Sequence, residues 1–408
     1  MNDLNCLLSG CAGKALMQAI KGLYRVGHGP SSSHTIAPFR IAQYYHDHFT
    51  AADFYEIHLG GSLALTAVGH GTIDIIKKAL ETDKIAFSFD TNTKENIMNI
   101  TGYHNGHQYD TWHGKSLGGG AVSIEEYDCH DLDEIYEENN FTEIKKYLED
   151  HDMNLTEYAY SHEKDLKAYL MKCLEVMFDT VDRGLNSEGL INKELNYYRV
   201  ASSLYKKAKT KNDYICAYSY ATCEENAAGG MMCTAPTLGA CGIITSLVYY
   251  LHFNEHVSKD ILCNLLTVAG IFGNCIKKNA SIAGSEGGCQ AEVGTACAMA
   301  AAAIAYYEGS SLKTIEYAAE MGIEHFLGLT CDPILGYVII PCIERNAVSI
   351  LRAFDCAYLA QQLCDIKDNY VSFDSVVHAM NYTGNKLARE LKETSLGGLS
   401  LEYHYEKS

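Results

Sequence analysis

The second half of the chain is dominated by long apolar segments with helical period. From about residue 163, apolar side chains recur at i, i+3 and i+4, and several segments are apolar on all sides. Examples are DLKAYLMKCLEVMFDTVDRGL, ITSLVYYLHF, KDILCNLLTVAGIFGNCI, TACAMAAAAIAYYEG and AVSILRAFDCAYLAQQLC. The whole chain contains only 5 prolines, which suits long helices. The pattern predicts an all-helical domain whose central helices are buried on every side.

The first part of the chain has a different pattern. Residues 1–128 mix strand-like segments (YEIHLGGSLAL, KIAFSFD, GGGAVSIEEY) with short helical ones (IAPFRIAQYYHDHF, GTIDIIKKALE). Residues 129–162 are rich in Asp and Glu, which favours a connection between domains with at most short helices. We therefore predict an α+β protein, with an α/β domain over residues 1–150 and an all-α domain over residues 151–408.

Charge and segment composition exclude several classes of protein. The net charge is −19, from 51 acidic and 32 basic residues, which argues against binding to nucleic acid or to an anionic membrane surface. The first residues contain neither a basic segment nor a sustained apolar run, so we expect no signal peptide. No uninterrupted apolar run reaches the length of a membrane span, and VAGIFGNCIKKNA is broken at Asn274 and two lysines, so we expect no transmembrane helix. The expected location is the cytoplasm.

The 16 cysteines are unevenly distributed, with twelve between Cys216 and Cys364. In a reducing compartment we expect free thiols rather than a disulfide framework. A free cysteine usually packs as a small buried hydrophobic residue. That interpretation suits Cys263, Cys275, Cys356 and Cys364, which lie on apolar helical faces.

Three other cysteines lie outside such helical patterns. Cys289 follows Gly-Gly, Cys331 precedes Asp-Pro, and Cys342 follows Pro. The segment LTCDPILGYVIIPC separates the last two by eleven residues, which fits neither a CxxC redox pair nor a zinc knuckle. Several soft ligands in one place would suit an iron–sulfur or zinc centre, although no short CxxC pair anchors one. Packing therefore stays open as an alternative at this point.

Two glycine-rich motifs in the first part carry histidines. In GHGPSSSHTIAP (residues 27–38), hydroxyls and backbone N–H groups on a turn that enters a helix could bind a carboxylate or phosphate, beside His34. The alternative is a helix N-cap with an exposed histidine. In GGSLALTAVGHGT (residues 60–72), His70 stands between two glycines, which favours a position close to a substrate or another backbone. The motifs YHNGH and SLGGGA carry the same signal more weakly.

The helical half contains polar, glycine-rich interruptions that indicate a buried site. They are ENAAGGMMCTAPTLGACG, KKNASIAGSEGGCQAEVGTAC, EHFLGLTCDP and PCIERN. Together with GPSSSHT, GSLALT…GHGT, HNG, SxGGG and ETSxGGL, these motifs run in order through nearly the whole chain. In this arrangement the chain resembles the iron–sulfur-dependent L-serine dehydratases (L-serine ammonia-lyases), in their single-chain form.

The resemblance implies a first domain similar to the allosteric serine-binding domain of some phosphoglycerate dehydrogenases. It implies an all-helical second domain with a [4Fe–4S] cluster bound by Cys289, Cys331 and Cys342, while Cys241 and Cys297 lie nearby without binding it. Three thiolates leave one iron with an open position, which suits a Lewis acid better than electron transfer. The implied reaction is the dehydration and deamination of L-serine to pyruvate and ammonia. The implied assembly is a homodimer.

The resemblance also suggests roles for residues of the first domain. His34 and His70 are the candidates for acid–base catalysis, and the active site is expected between the two domains. The candidates for binding the substrate's carboxylate and ammonium are Ser31, Ser32, Ser33, Thr35, Ser62, Asn105, Asn279 and Ser281.

The chain departs from the family pattern in its tail and at three motif positions. The tail ETSLGGLSLEYHYEKS has no cysteine, which excludes the thiolate that caps the open iron in many relatives. Glu402, His404 or the terminal carboxylate could substitute, or the iron could simply hold water or substrate. Leu238 replaces the Asn of relatives, and Leu335 and Ala291 replace glycines. We expect these changes to narrow the pocket or remove a polar group.

These departures leave three alternatives to L-serine dehydration by a cluster. The same elimination could act on L-threonine, L-cysteine or another β-substituted amino acid. A pyridoxal-phosphate enzyme does the same net reaction, but Lys277 and SLGGGA are the only stand-ins for its lysine and phosphate cradle. The chain could also be a non-catalytic sensor that binds an amino acid.

Overall fold

The computed structural model describes residues 16–129 and 134–407, with side chains as far as Tyr403. In chain order the strands are β1 (Met17–Gln18), β2 (Val26–His28), β3 (Phe54–Gly60), β4 (Ile85–Asp90), β5 (Ile97–His104), β6 (His107–Gln108), β7 (Trp112–Ser116), β8 (Val122–Ile124), β9 (Glu134–Tyr136), β10 (Leu190–Asn192), β11 (Tyr197–Tyr198) and β12 (Met231–Cys233). The helices are α1 (Ala37–His48), α2 (Ser62–Leu65), α3 (Thr72–Leu80), α4 (Phe141–His151), α5 (Leu155–His162), α6 (Leu166–Leu185), α7 (Ala201–Lys207), α8 (Lys211–Ala227), α9 (Cys241–Phe253), α10 (Lys259–Asn279), α11 (Gly284–Gly287), α12 (Thr295–Tyr307), α13 (Leu312–Glu324), α14 (Cys342–Leu363), α15 (Phe373–Lys386) and α16 (Gly398–Lys407). A strand-rich first part and a helical second part confirm the predicted α+β class.

The main sheet has the strand order β4-β3-β5-β7-β8, and β6 extends β5 as a hairpin. Only β3 and β4 run parallel; the other neighbouring strands are antiparallel. Side chains alternate along β3, where Tyr55, Ile57 and Leu59 are buried and Glu56 is exposed. Helices α1 and α3 pack on the buried face, so the sheet is covered on one side only.

The helical half is built around the alanine-rich helix α12. This helix contacts α10, α13 and α14, and Ala298 and Met299 are fully buried. The segments predicted as central helices are α6, α9, α10, α12 and α14, which confirms that prediction. Helix α10 is long and apolar enough to cross a membrane by length and composition, but 78% of its apolar window is buried inside the fold. Helix α10 is therefore a core helix of this fold.

The stretch expected to connect the domains belongs instead to the helical core. Strand β9 pairs with β1, and α4 and α5 follow it. Phe141, Ile144 and Tyr158 are fully buried in the same apolar cluster as α10 and α12. The predicted domain boundary at residue 150 falls in the last turn of α4 and stays a prediction.

The two halves are joined by a pair of short strands. Strand β2 pairs with β12 in antiparallel register, with His28 opposite Met231. Next to this pair, Asn226 Nδ2 donates a hydrogen bond to the Pro30 carbonyl at 2.7 Å. A Cβ on Gly29 would lie 2.1 Å from the Asn226 carbonyl oxygen, so only glycine permits this approach. The SSSHT motif is thereby held against the helical half.

Candidate functional site

The SSSHT motif forms a wide helical turn, Ser32–Ile36, at the start of α1, and it buries His34 completely. His34 Nδ1 lies 2.8 Å from Ser33 Oγ and 3.3 Å from Ser31 Oγ. Its Nε2 lies 3.1 Å from Ser62 Oγ, at the start of α2. Hydroxyl groups therefore contact both ring nitrogens, and the imidazole has one fixed orientation.

A second polar contact defines the tautomer of His34. Asn96 Oδ1 accepts hydrogen bonds from the backbone N–H of Ser62 at 2.9 Å and from Ser62 Oγ at 2.8 Å. Because the single hydroxyl proton of Ser62 points at Asn96, Ser62 Oγ must accept the Nε2–H of His34. His34 Nδ1 is then the unprotonated nitrogen, and it accepts from Ser33.

Two histidines and a glutamate from distant parts of the chain meet in the interior. The rings of His34 and His70 have their centroids 4.3 Å apart. Glu393 Oε1 lies 3.7 Å from His34 Nδ1 and 3.7 Å from His70 Nε2. The three residues are 0%, 1% and 4% exposed. We call them the His–Glu group; they are also close enough together to bind a metal ion.

Burial sets the protonation of the His–Glu group. Loss of hydration lowers the pKa of His34 to about 4, and neighbouring His70 acts in the same direction. Burial likewise lowers the pKa of His70 to about 4. Burial raises the pKa of Glu393, while His34 opposes that rise. At neutral pH both imidazoles are therefore neutral and able to accept a proton.

The three cysteines singled out by the sequence come together beside this group. Cys289 follows Gly288, which has a φ of 74° and where a Cβ would lie 2.8 Å from the Leu329 carbonyl oxygen, so a side chain is excluded there. Cys331 hydrogen-bonds Cys289 through its thiol, and Cys342 starts α14 within electrostatic reach of Cys289. The segment between Cys331 and Cys342 contains a short 3-10 turn, Ile334–Gly336.

The guanidinium of Arg345 and the side-chain-free backbone at Gly284 lie next to the three thiols. The hydrogen bond from Cys331 lowers the pKa of Cys289 to about 7, with Arg345 acting in the same direction and burial against it. Arg345 also donates to the Thr330 carbonyl at 2.7 Å, which fixes its guanidinium. On Gly284 a Cβ would lie 3.4 Å from Cys331 Sγ, so glycine leaves room beside the sulfur. Three soft donors, a compensating cation and this space fit an anionic iron–sulfur cluster.

A backbone bridge joins the thiols to the His–Glu group. The Cys331 N–H donates to the Leu391 carbonyl at 2.8 Å, and the Glu393 N–H donates to the Cys331 carbonyl at 2.6 Å. The backbone of Glu393 is thus tied to the backbone of one cysteine. Glu292 adds a second carboxyl nearby, whose pKa is raised by burial and by Glu393.

Some of the residues predicted as substrate ligands lie next to the His–Glu group, and others do not. Ser31, Ser32, Ser33 and Ser62 lie buried around His34. Thr35 is buried in the same turn, and its hydroxyl donates to the carbonyls of His28 and Ser31 at 2.6 Å each.

Three predicted ligands are not brought to the His–Glu group. Asn105 lies at the exposed β5–β6 turn, where its amide contacts His104. Asn279 donates to the carbonyls of Asn139 and Cys275, which is a structural use at the end of α10. Ser281 donates to Glu286 at 2.5 Å.

Sequence reasoning missed one amide and three charged members of the site. They are Asn96, Glu292, Arg345 and Glu393. Each of the last three lies inside a motif of the family pattern, QAEVG, PCIERN or ETSLGG. A charged residue within a glycine-rich or cysteine-containing motif was the sequence signal that could have identified these three residues. Of the proposed tail ligands, Glu402 is exposed on α16, and the His404 side chain and the terminal carboxylate lie outside the described part of the chain.

Two protein families match this chain, and together they span most of it. A family described as "Serine dehydratase alpha chain" matches residues 75–400, and "Serine dehydratase beta chain" matches residues 19–105. The chain is 34% identical to L-serine dehydratase 1 of Escherichia coli K12, over 95% of this chain and 99% of that protein. It is 34% identical to L-serine dehydratase of Streptomyces coelicolor (93% and 97% covered) and 32% identical to that of Helicobacter pylori (94% and 98% covered). The chain belongs to the serine dehydratase family.

Within the serine dehydratase family, the three departures of this chain lie at buried or strained positions. Leu238 is fully buried and packs with Ile36, Met232 and Cys241. Ala291 is also fully buried, two residues after Cys289. Leu335 adopts a φ of 53°. Whether these changes narrow the substrate pocket stays a prediction.

Proposed function

We propose that this serine dehydratase family member is a lyase that converts L-serine to pyruvate and ammonia with a [4Fe–4S] cluster bound by Cys289, Cys331 and Cys342. The observation that carries the proposal is the backbone bridge between Cys331 and Glu393. It joins a set of soft metal ligands to a buried pair of neutral histidines. Dehydration of an amino acid by a cluster enzyme combines a metal that activates the leaving hydroxyl with a base for the Cα proton.

The cluster and the protein contribute different parts of this chemistry. A [4Fe–4S] cluster with three thiolate ligands supplies one iron with an exchangeable position, a Lewis acid for the substrate's hydroxyl. The chain must bind the amino acid, keep water out and remove the Cα proton. The product enamine then tautomerises to an imine, which water hydrolyses to pyruvate and ammonia.

His70 is the better placed of the two histidines to take the Cα proton. Both nitrogens of His34 contact serine hydroxyls, whereas His70 makes no hydrogen bond to any side chain in the described part of the chain. We assign proton transfer to His70 Nε2, which faces Glu393 Oε1 at 3.7 Å. The Glu393 carboxylate then stabilises the imidazolium that forms.

The turn around His34 supplies donors for the substrate carboxylate. Ser31, Ser32 and Ser33 are all buried next to the His–Glu group. Hydroxyl and backbone N–H groups on such a turn stabilise a carboxylate and the negative charge that develops when the Cα proton leaves. His34 keeps this turn in place through its contacts with Ser33 and Ser62.

The first test separates proton transfer from cluster binding. The protein is purified without oxygen, its iron and sulfide are measured, and pyruvate formation is followed with L-serine, L-threonine and L-cysteine. For His70→Ala and Glu393→Gln we expect unchanged cluster absorbance and kcat lowered by about 10²-fold or more. His113→Ala is the matched control, because His113 is an exposed histidine paired with Glu126.

Full activity in His70→Ala would remove His70 from proton transfer. A protein without iron that absorbs as a pyridoxal-phosphate Schiff base would overturn the cluster assignment. Iron and sulfide without turnover of any amino acid in the panel would favour the sensor.

We further propose that the enzyme acts in the cytoplasm as a homodimer. All cysteines in the described ranges are free, which suits a reducing compartment. Helix α14 leaves Val348 and Tyr358 more than half exposed, as expected of side chains at an interface. Sedimentation of the holoenzyme tests the dimer, and a monomer at micromolar concentration would contradict it.

A further inference from the structure

A crevice of about 360 Å³ lies between the two halves of the molecule, outside the His–Glu group. The first half contributes His28, Asp74 and Lys78 to its walls. The other half contributes Gly229 and Val338. No residue of the His–Glu group and none of the three cysteines is among its lining residues.

The crevice holds one cation whose position is fixed. His28 Nδ1 donates to the Gly229 carbonyl at 3.0 Å, so its Nε2 is the acceptor nitrogen. Lys78 Nζ lies 2.8 Å from that Nε2 and donates to it. An ammonium group has three N–H donors, and this contact uses one. Lys78 therefore keeps two donors directed toward the crevice.

The crevice also holds one anion. Asp74 lies four residues before Lys78, on the same exposed face of α3. Within the described ranges Asp74 has no ion pair, since Lys78 turns to His28 instead. Apolar side chains such as Ile75 and Val338 line the crevice beside these two charges. One positive and one negative group in a small cleft match a small zwitterion better than a simple anion.

Only one layer of backbone separates the crevice from the His–Glu group. Gly69 and Gly71 line the crevice, while His70 between them turns inward and is 1% exposed. A Cβ on Gly69 would lie 2.6 Å from the Gly336 carbonyl oxygen, so the two segments touch without intervening side chains. Because the His–Glu group is closed to solvent, substrate must pass where two segments separate.

We propose that this crevice is an encounter subsite for the amino-acid substrate, in which Lys78 holds the carboxylate and Asp74 the ammonium. The substrate passes from it to His70 when residues 68–71 separate from residues 335–336. His28 is a positioning residue, because it acts through Lys78. The identity of the ligand as L-serine rests on the proposed function. The route from the crevice to the buried site does not depend on it.

The first experiment measures how the charges affect capture of L-serine. For Asp74→Asn and Lys78→Gln we expect kcat/KM for L-serine to fall by about three- to tenfold, with kcat within about twofold of the parent. Lys77→Gln is the matched control, since Lys77 lies on the same helix but pairs with Asp83 outside the crevice. Its kinetics should equal those of the parent. If the crevice variants behave like Lys77→Gln, or if kcat falls as much as kcat/KM, the subsite is wrong.

The second experiment tests the route without any turnover. In cluster-free protein, alkylation of Cys289 by iodoacetamide is followed by mass spectrometry. Val68 is 73% exposed at the rim of the crevice, and Val68→Trp should slow this labelling severalfold by narrowing the opening. Ile366→Trp, at a side chain 77% exposed just after α14 and outside the crevice, is the control and should leave the rate unchanged.

Labelling at the parent rate in Val68→Trp would overturn the route. If the parent protein forms no pyruvate from L-serine, the proposed function fails, while the labelling result still decides whether the crevice leads to the buried site.

Discussion

Leu335 has a left-handed backbone conformation, with φ of 53° and ψ of 19°. The resemblance leads us to expect glycine at this position, and glycine adopts this conformation without a steric penalty. The sequence suggested that Leu335 narrows a pocket. The positive φ of residue 335 gives a backbone reason for a glycine there, and the next residue, Gly336, has φ of 74° and contacts Gly69. Leu335 is therefore a strained residue next to the contact between Gly69 and Gly336, which closes the His–Glu group to solvent.

This strain predicts an ordered response to substitution. Leu335→Val should lower the free energy of unfolding by about 1 kcal/mol or more relative to Leu335→Asn, because a β-branched side chain fits φ near +50° poorly and asparagine tolerates it. Urea denaturation of the cluster-free protein measures the difference. Equal stability of the two variants would show that the left-handed conformation carries no cost.

The helices of the second half were predictable, whereas α4 and α5 were not. Long segments that are apolar all round have no stable place except a helical core. In α4 the buried residues Phe141, Ile144 and Leu148 occupy one face only, and acidic residues on the other face dominated the composition. The start of α4 also depends on a tertiary contact that no local pattern reveals. Asp374, in the first turn of α15, accepts from the backbone N–H of Phe141 and of Thr142 at 2.9 Å each.

Removal of this cap should be costly. Asp374→Ala leaves two N–H groups of α4 without their partner, and we expect the free energy of unfolding to fall by about 1–2 kcal/mol. Asp368→Ala is the control, because Asp368 makes only an exposed ion pair with Lys313 and should cost less than about 0.5 kcal/mol. Thermal unfolding of both variants gives the comparison; equal losses would contradict the capping role.

The site forms only when the whole molecule is assembled. His34 and His70 were identified from motifs within 45 residues of each other, since local glycine and serine patterns mark such turns. Glu393 lies more than 300 residues further along, and its proximity follows from the docking of the two halves. No periodicity or spacing within a single sequence encodes such a contact. The same docking buries both histidines in the neutral state.

Burial of the histidines predicts a loss of stability in acid. In the unfolded chain these histidines bind protons near the ordinary histidine pKa of about 6.5. In the folded chain His34 and His70 stay unprotonated until the pH falls to about 4. The free energy of unfolding is therefore unaffected by these histidines above pH 6.5. It decreases as the pH falls from 6.5 to 4, by up to about 3 kcal/mol for each histidine. Glu393, with its raised pKa, acts in the opposite direction.

The comparison of variants isolates the histidine contribution. Urea denaturation of cluster-free protein between pH 7 and pH 5 should give a flatter profile for His70→Gln than for the parent. His113→Gln, at an exposed histidine, should follow the parent. A His70→Gln profile as steep as that of the parent would mean that another group controls the acid transition.

The hydrogen bonds from Cys331 to Leu391 and from Glu393 back to Cys331 make one rigid unit of two chain segments about sixty residues apart. A displacement of Cys331 would therefore move the Glu393 backbone as well. In the mechanism we propose, oxidation of this cysteine would disturb the metal ligands and the proton-transfer group at the same time. An oxidised enzyme would then lose hydroxide expulsion and proton abstraction together, rather than keep one without the other.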